Sequence, residues 1–562
     1  MAGTIYTPVS LWEGFSLELP MEEELVREYE KDGVIFREIY FDGRKTAAGR
    51  VKIYALAAFE KKNARMPGLL ILPSYTKTPD ENTALYFARK GYYALMVDYS
   101  GNFRSPERYT VYPEDVSYAN AAEDRDAIHR VEKDAKHTCW YEWSAVAQYA
   151  GYYLKTRGEV SGYGALGVKH GATILWQLAT LDKDLKCFAA VFSAGWRAYR
   201  GCFKFGEHSE PELDDEMYKY LAAIEPQAYA QYVKCPVLML SCTNNRYFDV
   251  DRAFDTVARI DPSVKAYLNY APQRAKTLDT RCKADLELFL EKFLKGAEVD
   301  LPEEPELSCE LNNGSIFVKV QADGKGLSDI CLYAAEETVN PALRCWNFKA
   351  EAVGKTDGSA LFKYTPYKYS GQAMFFAQAR YENGAAVCSR VLAKKFAPEE
   401  IQNENKSNIV FSARENKYLM CPKDETAAAG PLNWLQTEEH DYIEILTGAF
   451  EIEGVTSAGG IATFKINNAA DRPSVSSILL ADVYAPAGAK LTVKLIADLY
   501  GADKKEYFVT AEIAGGEVWH KLSFPVSKFK TEDGMILKSM DKINMIAFEC
   551  GGKYLLNNIL WV

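Results

Sequence analysis

The segment at residues 164–173, with the sequence GALGVKHGAT, constrains the fold of this chain more than any other. A strand-like stretch precedes it, and residues 174–179 continue it as an apolar run at helical spacing. The pattern predicts a strand, a tight turn and a helix in that order. Gly167 and Gly171 flank the turn, where a strained backbone leaves no room for side chains. The sequence therefore predicts that Lys169 lies at the apex of a sharp turn.

The same alternation of strands and helices extends over the first half of the chain. Residues 68–73, 93–98, 187–192 and 237–241 are short continuous apolar runs, which are typical of strands buried on both faces. Residues 82–91 read as a helix that a glycine ends. The alternation predicts a mostly parallel sheet covered by helices.

The pattern changes near residue 300, and three domains are expected. The chain has 562 residues, more than the roughly 250–300 that one hydrophobic core usually serves. Short alternating segments predict a β-sandwich at 299–398, and a polar linker at 399–408 separates it from a second all-β region at 409–562. The fold class predicted is therefore multidomain, with an α/β domain at 1–298 followed by two all-β domains.

Bulk composition excludes several classes of partner. The chain is 48% hydrophobic and 25% charged, as ordinary globular proteins are. Its net charge of -11 argues against nucleic acid or an anionic membrane as the main partner. No stretch approaches the roughly 20 apolar residues that span a bilayer. No signal peptide is visible, so the chain is expected to be cytoplasmic, or exported if a leader has been removed.

The twelve cysteines are scattered, and neither they nor the histidines fall at metal-ligand spacing. We therefore expect no metal and no cofactor. The oligomeric state is left open by the sequence.

The first 298 residues resemble the α/β-hydrolase superfamily, most closely acetyl xylan esterases, cephalosporin deacetylases and dienelactone hydrolases. The resemblance rests on the turn at 164–173, on residues 94–101 and 235–240, and on Trp140 and Tyr141. It implies that the turn is the elbow which, in such enzymes, presents a nucleophilic serine within G-x-S-x-G. The ligand class that it implies is carbohydrate or an acylated small molecule.

The resemblance also assigns the catalytic positions, and each carries an unsuitable residue. Lys169 occupies the position of the nucleophile, and the uncharged Asn245 occupies that of the acid. Gln273 or Arg274 stands where the histidine base is expected. A guanidinium does not act as a general base near neutral pH. The triad is therefore interpreted as degenerate, with Lys169, Asn245 and Arg274 as its vestigial positions.

Other pocket residues follow from the same alignment. Ser74 and Tyr75 stand in the loop where such enzymes often carry His-Gly-Gly. His170 follows the turn and is expected to pack between the sheet and the helix or to line the pocket rim. Asp249 and Asp251 are close enough to Asn245 to serve as substitute acids.

Three functions remain open. The leading hypothesis is a protein that has lost serine-hydrolase chemistry and now binds or scaffolds. The first alternative is an active hydrolase in which a neutral Lys169 amine attacks a carbonyl or forms a Schiff base. The second alternative is a structural or subunit-interaction protein with a filled pocket.

The two later regions resemble modules that accompany polysaccharide enzymes. Residues 344–346 carry a resemblance to immunoglobulin-like spacers. Residues 519–525, 543–548 and 554–561 carry a resemblance to jelly-roll modules of the carbohydrate-binding type. Sugar binding would need exposed aromatic faces, and core packing is the alternative for each aromatic residue. The aromatic candidates for sugar stacking are Trp434, Tyr500, Tyr507 and Trp519.

Overall fold

The computed structural model describes most of the chain. The described residues are 4–61, 64–103, 107–121, 127–199, 213–336, 340–346, 350–366, 369, 371–403, 408–414, 419–420 and 443–562.

The first nine strands form one mixed sheet in the order β1-β2-β3-β5-β4-β6-β7-β8-β9. They are β1 (Glu23–Lys31), β2 (Val34–Lys45), β3 (Arg50–Glu60), β4 (Met66–Leu72), β5 (Tyr93–Val97), β6 (Val160–Val168), β7 (Phe188–Val191), β8 (Val237–Cys242) and β9 (Ala266–Ala271). The first three strands pair antiparallel, and β3 meets β5 antiparallel. From β5 to β9 every pairing is parallel. The predicted mostly parallel sheet is confirmed.

Eight α-helices are described, and those from α2 to α7 connect the strands from β4 to β9. They are α1 (Pro8–Trp12), α2 (Glu81–Arg89), α3 (Cys139–Thr156), α4 (His170–Leu181), α5 (Asp215–Ala223), α6 (Pro226–Tyr229), α7 (Val250–Ala258) and α8 (Thr280–Leu290). Side chains at the helix starts accept hydrogen bonds from main-chain N–H groups that have no partner within the helix. Thr138 does so for α3 and Asp279 for α8. Strands β5 and β8 are buried at every position, which explains their uninterrupted apolar sequences. Of the helices described, none combines the length and apolar character needed to cross a bilayer.

The next eight strands form two antiparallel sheets, β10-β11-β14-β13 and β12-β15-β16, with β17 paired to β15. They are β10 (Glu306–Asn312), β11 (Ser315–Gln321), β12 (Leu327–Glu336), β13 (Glu351–Thr356), β14 (Ser359–Tyr364), β15 (Ala373–Tyr381), β16 (Ala386–Cys388) and β17 (Leu392–Lys394). Tyr333, Trp346 and Phe376 belong to the same hydrophobic core as the large sheet. Arg344 also makes a bidentate ion pair with Asp251, at 2.6 and 2.7 Å. This part is therefore packed firmly on the α/β part.

The last ten strands form two further sheets, β19-β20-β27-β22-β25 with β18 on β27, and β21-β26-β23-β24. They are β18 (Ile409–Phe411), β19 (Glu444–Thr447), β20 (Glu453–Thr456), β21 (Ile461–Thr463), β22 (Ile478–Tyr484), β23 (Ala489–Ala497), β24 (Lys505–Ile513), β25 (Trp519–Pro525), β26 (Ile543–Cys550) and β27 (Leu555–Trp561). Their hydrophobic core also contains Ala275, Leu343 and Cys345 from the two earlier parts. We call these strands and their loops the C-terminal sandwich.

The multidomain fold class is confirmed: a helix-covered, mostly parallel sheet is followed by antiparallel all-β sheets. The strands fall within the three predicted ranges. The boundaries 1–298, 299–398 and 409–562 stay a prediction, because two of the hydrophobic cores contain residues from more than one range.

Candidate functional site

The turn between β6 and α4 holds Lys169 in a strained conformation. Its backbone angles are φ 54° and ψ -110°, a region that residues with side chains rarely occupy. The Lys169 N–H donates to the carbonyl of Val191 on β7, at 2.8 Å, and its own carbonyl accepts from the N–H of Thr173, at 3.1 Å. Both sides of the peptide are thereby fixed, so the backbone itself directs the lysine side chain.

The two glycines beside the turn allow β4, β6 and α4 to approach closely. A Cβ atom on Gly167 would lie 2.7 Å from the main chain of Ala172. A Cβ atom on Gly171 would lie 2.6 Å from the Pro73 carbonyl oxygen and closer still to that of Leu72. Any side chain at these positions would force the backbone apart.

A cavity of about 170 Å³ lies at the carboxyl ends of the parallel strands, and we call it the Lys169 cavity. Crevices at this edge are where open α/β sheets bind ligands. Loops following β4, β6, β8 and β9 form most of its wall, and one loop of the C-terminal sandwich completes it. The described lining residues are Ser74, Tyr75, Thr76, His129, Lys169, His170, Arg197, Asn245, Arg246, Tyr247, Phe248, Ala275, Lys276 and Tyr500.

Three of the predicted pocket residues form one contiguous wall. The Nδ1 atom of His170 lies 3.3 Å from the hydroxyl oxygen of Ser74. The His170 ring meets the ring of Tyr75 edge-on, with 4.5 Å between their centres. His170 thus packs against the loop after β4 and also faces the cavity.

Asn245 also lines the cavity, but main-chain groups engage both ends of its side chain. Its amide nitrogen donates to the carbonyl of Ala275, at 2.7 Å. Its amide oxygen accepts from the N–H groups of Tyr247 and Phe248, both at 3.0 Å. The side chain is buried, and it ties the loop after β8 to the loop after β9.

The third position of the expected triad lies beside the cavity. Gln273 has a positive φ of 56°, and its N–H donates to the hydroxyl of Thr243, at 2.9 Å. The Arg274 guanidinium donates to the hydroxyl of Thr277, at 3.3 Å. Neither Gln273 nor Arg274 belongs to the described lining, in which Ala275 and Lys276 represent this loop. The structure therefore brings Lys169 and Asn245 together without Gln273 or Arg274.

The two acids considered as substitutes are engaged elsewhere. Asp249 caps the start of α7, where its carboxylate accepts a hydrogen bond from the main-chain N–H of Arg252 at 3.1 Å. The same carboxylate forms an ion pair with the Arg252 guanidinium at 3.3 Å. Burial raises the pKa of Asp249. Asp251 binds Arg344. Within the described part of the chain, no aspartate or glutamate lines the cavity.

Three basic side chains of the cavity lining were missed by the sequence analysis. Besides Lys169, the lining contains Arg197, Arg246 and Lys276. The Arg246 guanidinium lies over the rings of Tyr247 and Tyr500, at 4.9 and 5.4 Å from their centres. Arg246 and Lys276 follow the ends of β8 and β9, and this position in the sequence was the one signal that they could line the cavity.

A buried carboxyl group lies behind Arg197. Glu225 accepts from the main-chain N–H groups of Arg197 and Ala198. Burial raises the pKa of Glu225 to about 7, although the charge of Arg197 acts in the opposite direction. This group responds to pH near neutrality.

The four aromatic candidates for sugar stacking have different environments. Tyr500 lines the Lys169 cavity. Tyr507 is 8% exposed and packs in the core of the C-terminal sandwich, so neither face of its ring is open. Trp519 is half-buried against Tyr484, and its indole N–H donates to the carbonyl of Ala449, at 3.0 Å. Trp434 lies outside the described residues.

Metal binding finds no support in the described ranges, where no three histidine, cysteine or acidic side chains come together as a metal site would require.

Comparison with known proteins gives distant structural likenesses. The acetyl xylan esterase from Paenibacillus sp. R4 is similar at 16% identity with a TM-score of 0.40, over 50% of this chain and 91% of that chain. Acetyl xylan esterase 1 from Thermoanaerobacterium sp. JW/SL YS485 is similar at 15% identity with a TM-score of 0.38, over 48% and 90%. The Pyrococcus horikoshii acylaminoacyl peptidase is similar at 12% identity with a TM-score of 0.33, over 49% and 50%. No family model and no curated protein sequence matches the chain. Similarities at this level carry no information on activity, which depends on the residues of the cavity.

Proposed function

We propose that this protein binds a ligand in the Lys169 cavity without hydrolysing it. The observation that carries the proposal is the turn at Lys169, whose strained backbone presents an amine to the cavity. Serine hydrolysis needs a hydroxyl nucleophile, a base beside it and a carboxylate that orients the base. The apex of the turn carries no hydroxyl nucleophile, and no aspartate or glutamate is among the described lining residues of the cavity.

The environment of Asn245 supports the same proposal. Its amide is held by three main-chain groups, so it stabilises two loops of the cavity wall. A side chain used in this way shapes a binding site and does not orient a catalytic base. The ligand class we propose is carbohydrate or acylated carbohydrate.

The two all-β regions are proposed as an immunoglobulin-like spacer and a jelly-roll module. Each is built from two antiparallel sheets, as such modules are. Tyr500 brings the second of them to the cavity, which supports a role in ligand binding.

One observation favours a second candidate, a residual hydrolase. Ser74 and His170 lie 3.3 Å apart in the cavity wall, close to the distance of a nucleophile from its base. The described lining of the cavity contains no aspartate or glutamate. Because an orienting acid contributes several orders of magnitude to such catalysis, we place this candidate second.

Hydrolysis of p-nitrophenyl acetate by the full chain tests the proposal. We expect the rate to equal that of a heat-denatured sample. A rate above background that Lys169→Ala abolishes would establish the lysine mechanism, and one that Ser74→Ala abolishes would establish the Ser74–His170 pair. Lys183→Ala and Ser161→Ala, at exposed positions, are the matched controls.

A further inference from the structure

We infer that Asn467 and Asn544 are positioning residues of the Lys169 cavity, since they connect the loop that carries Tyr500 to the main chain of residues 342–344. We call their contacts the asparagine relay. The inference rests on the proposed binding function and identifies residues outside the cavity that set the shape of its wall. It arises from a continuous line of hydrogen bonds between the parts of the chain.

The relay begins beside the one described residue of the C-terminal sandwich that lines the cavity. Tyr500 lies in the loop between β23 and β24, and its neighbour Leu499 is buried in the core of the sandwich. The main-chain N–H of Leu499 donates to the side-chain oxygen of Asn544 on β26, at 3.0 Å. On the other side of the ring, the N–H of Gly501 donates to the carbonyl of Asp498, at 2.9 Å. The main chain is therefore held within the sandwich on both sides of Tyr500.

The relay continues through two side-chain amides to the middle part of the chain. The amide nitrogen of Asn544 donates to the side-chain oxygen of Asn467, at 3.0 Å. The amide nitrogen of Asn467 donates in turn to the main-chain carbonyl of Leu343, at 3.4 Å. Leu343 is buried and belongs to the hydrophobic core of the C-terminal sandwich. Two side chains therefore connect the loop of Tyr500 to the segment at 342–344.

The same short segment holds a cavity loop of the α/β part. The amide nitrogen of Asn244 donates to the carbonyl of Ala342, at 3.0 Å, and to that of Arg344, at 2.9 Å. Asn244 is fully buried and directly precedes Asn245, in the loop that carries Arg246 into the cavity wall. One segment therefore fixes two loops, one from the α/β part and one from the C-terminal sandwich.

The two loops meet at Arg246. Its guanidinium lies over the ring of Tyr247 in its own loop and over the ring of Tyr500, at 4.9 and 5.4 Å from their centres. A cation is attracted to the face of an aromatic ring only at short range. Displacement of Tyr500 would therefore uncover one side of the guanidinium and open the cavity wall at this point.

The ends of the relay fix the order of its donors and acceptors. The N–H of Leu499 requires an acceptor, whereas the carbonyl of Leu343 requires a donor. A side-chain amide supplies one of each. Asn544→Asp and Asn467→Asp nearly keep the shape of the side chain but supply acceptors alone when the carboxyl group is ionised. Either substitution therefore breaks one link of the relay.

Modification of the full chain by phenylglyoxal tests the inference, because this reagent attacks guanidinium groups and the measurement needs no ligand. Peptide mass spectrometry gives the modification rate of Arg246 relative to that of Arg89, which is 54% exposed on α2. We expect Tyr500→Ala to raise the relative rate about two- to fivefold, the factor that corresponds to one exposed cation–π contact. Asn544→Asp and Asn467→Asp should each raise it as well, at most to the value in Tyr500→Ala.

Asn557→Asp is the matched control. Asn557 on β27 accepts from the N–H of Ala413, at 3.1 Å, and donates to the carbonyl of Glu453, at 2.7 Å. The substitution therefore removes the same kind of link from the other sheet of the sandwich. It should lower the free energy of unfolding by a similar amount and leave the relative modification rate of Arg246 unchanged.

A double variant separates positioning of the ring from general loosening of the domain. In Tyr500→Ala, Asn544→Asp the modification rate should equal that of Tyr500→Ala alone, because the relay acts on Arg246 through this ring. Circular dichroism of each variant confirms that the rates are compared between folded proteins.

Unchanged modification rates in Asn544→Asp and Asn467→Asp would overturn the inference and leave the proposed binding function intact. An equal rise in Asn557→Asp, or a further rise in the double variant, would also overturn it. Failure of the proposed function is detected separately, as ester hydrolysis that depends on Lys169 or Ser74.

Discussion

The side-chain amide of Asn245 donates a hydrogen bond to the main-chain carbonyl of Ala275, 2.7 Å away. The same side chain accepts hydrogen bonds from the main-chain N–H groups of Tyr247 and Phe248 in its own loop. One buried amide therefore fixes the two loops that carry Arg246 and Lys276 into the cavity. This use of Asn245 requires a donor on one side and an acceptor on the other.

Asn245→Asp tests that requirement. An ionised carboxylate keeps the two accepted hydrogen bonds but faces the Ala275 carbonyl without a donor, which costs about 1–3 kcal/mol in free energy of unfolding. At pH 4 a protonated carboxyl group donates again, so the difference from the unsubstituted protein should shrink. Urea denaturation of both proteins at pH 7 and pH 4 measures it, and a difference independent of pH would contradict the argument.

Restoring the serine should not restore hydrolysis. In Lys169→Ser no described acidic side chain lines the cavity to orient a base, and in Lys169→Ser, Asn245→Asp, Arg274→His the new histidine is at a position outside the described cavity lining. Because triad members act as a unit, both variants should hydrolyse p-nitrophenyl acetate at the background rate. Activity in the triple variant alone would mean that residue 274 reaches the cavity.

Gly171 should tolerate no side chain. In Gly171→Ala the new Cβ would lie within 2.6 Å of the Pro73 carbonyl oxygen, and we expect a loss of at least about 3 kcal/mol in free energy of unfolding. Gly158→Ala is the control, since a Cβ there has nothing within 4 Å. Urea denaturation or loss of soluble expression reports the effect, and equal stability of the two variants would refute the close approach of α4 to β4.

The stability of the protein should fall between pH 5 and pH 7 because of Glu225. Burial raises the pKa of Glu225 to about 7 in the folded state, so the folded protein binds a proton that the unfolded chain releases. The contribution is complete at low pH and is lost as pH rises, by about 1.4 kcal/mol per pH unit.

Glu225→Gln isolates this contribution from that of Asp98, whose pKa burial raises to about 6. The glutamine oxygen can still accept from the N–H groups of Arg197 and Ala198. Free energies of unfolding measured at pH 5, 6, 7 and 8 should therefore fall less steeply in the variant. Parallel profiles would show that Glu225 titrates normally.

The ion pair between Arg344 and Asp251 should be essential for stability. The Arg344 side chain is 1% exposed, so Asp251→Asn removes the carboxylate from a buried bidentate ion pair and should cost about 3–5 kcal/mol. Asp300→Asn breaks an exposed pair with Lys325, whose side chains are 74% and 75% exposed, and should cost less than about 1 kcal/mol. Urea denaturation compares the two, and similar losses would be incompatible with a buried interface.

Local sequence was enough to predict the sheet and the turn. Gly167 and Gly171 indicate that the backbones approach closely at the turn. The apolar runs at β4, β5 and β8 indicate buried parallel strands. These signals depend only on residues that are close together in the sequence, so they can be recognised without a structure.

The composition of the cavity depended on contacts that sequence does not show. Gln273 adopts a positive φ, and Ala275 and Lys276 of the loop after β9 line the cavity, whereas Arg274 does not. Tyr500 enters from a loop between β23 and β24, far away in the chain. Neither a local φ of this kind nor the docking of a distant loop follows from residue spacing.

Tyr500 has a consequence for how the protein would respond to its ligand. A ligand that touches this ring would bind more tightly while the C-terminal sandwich is docked on the α/β part. By thermodynamic linkage, ligand binding must then strengthen docking by the same free energy with which docking strengthens binding. Ligand binding in the cavity would therefore be coupled to the docking of a domain far along the chain.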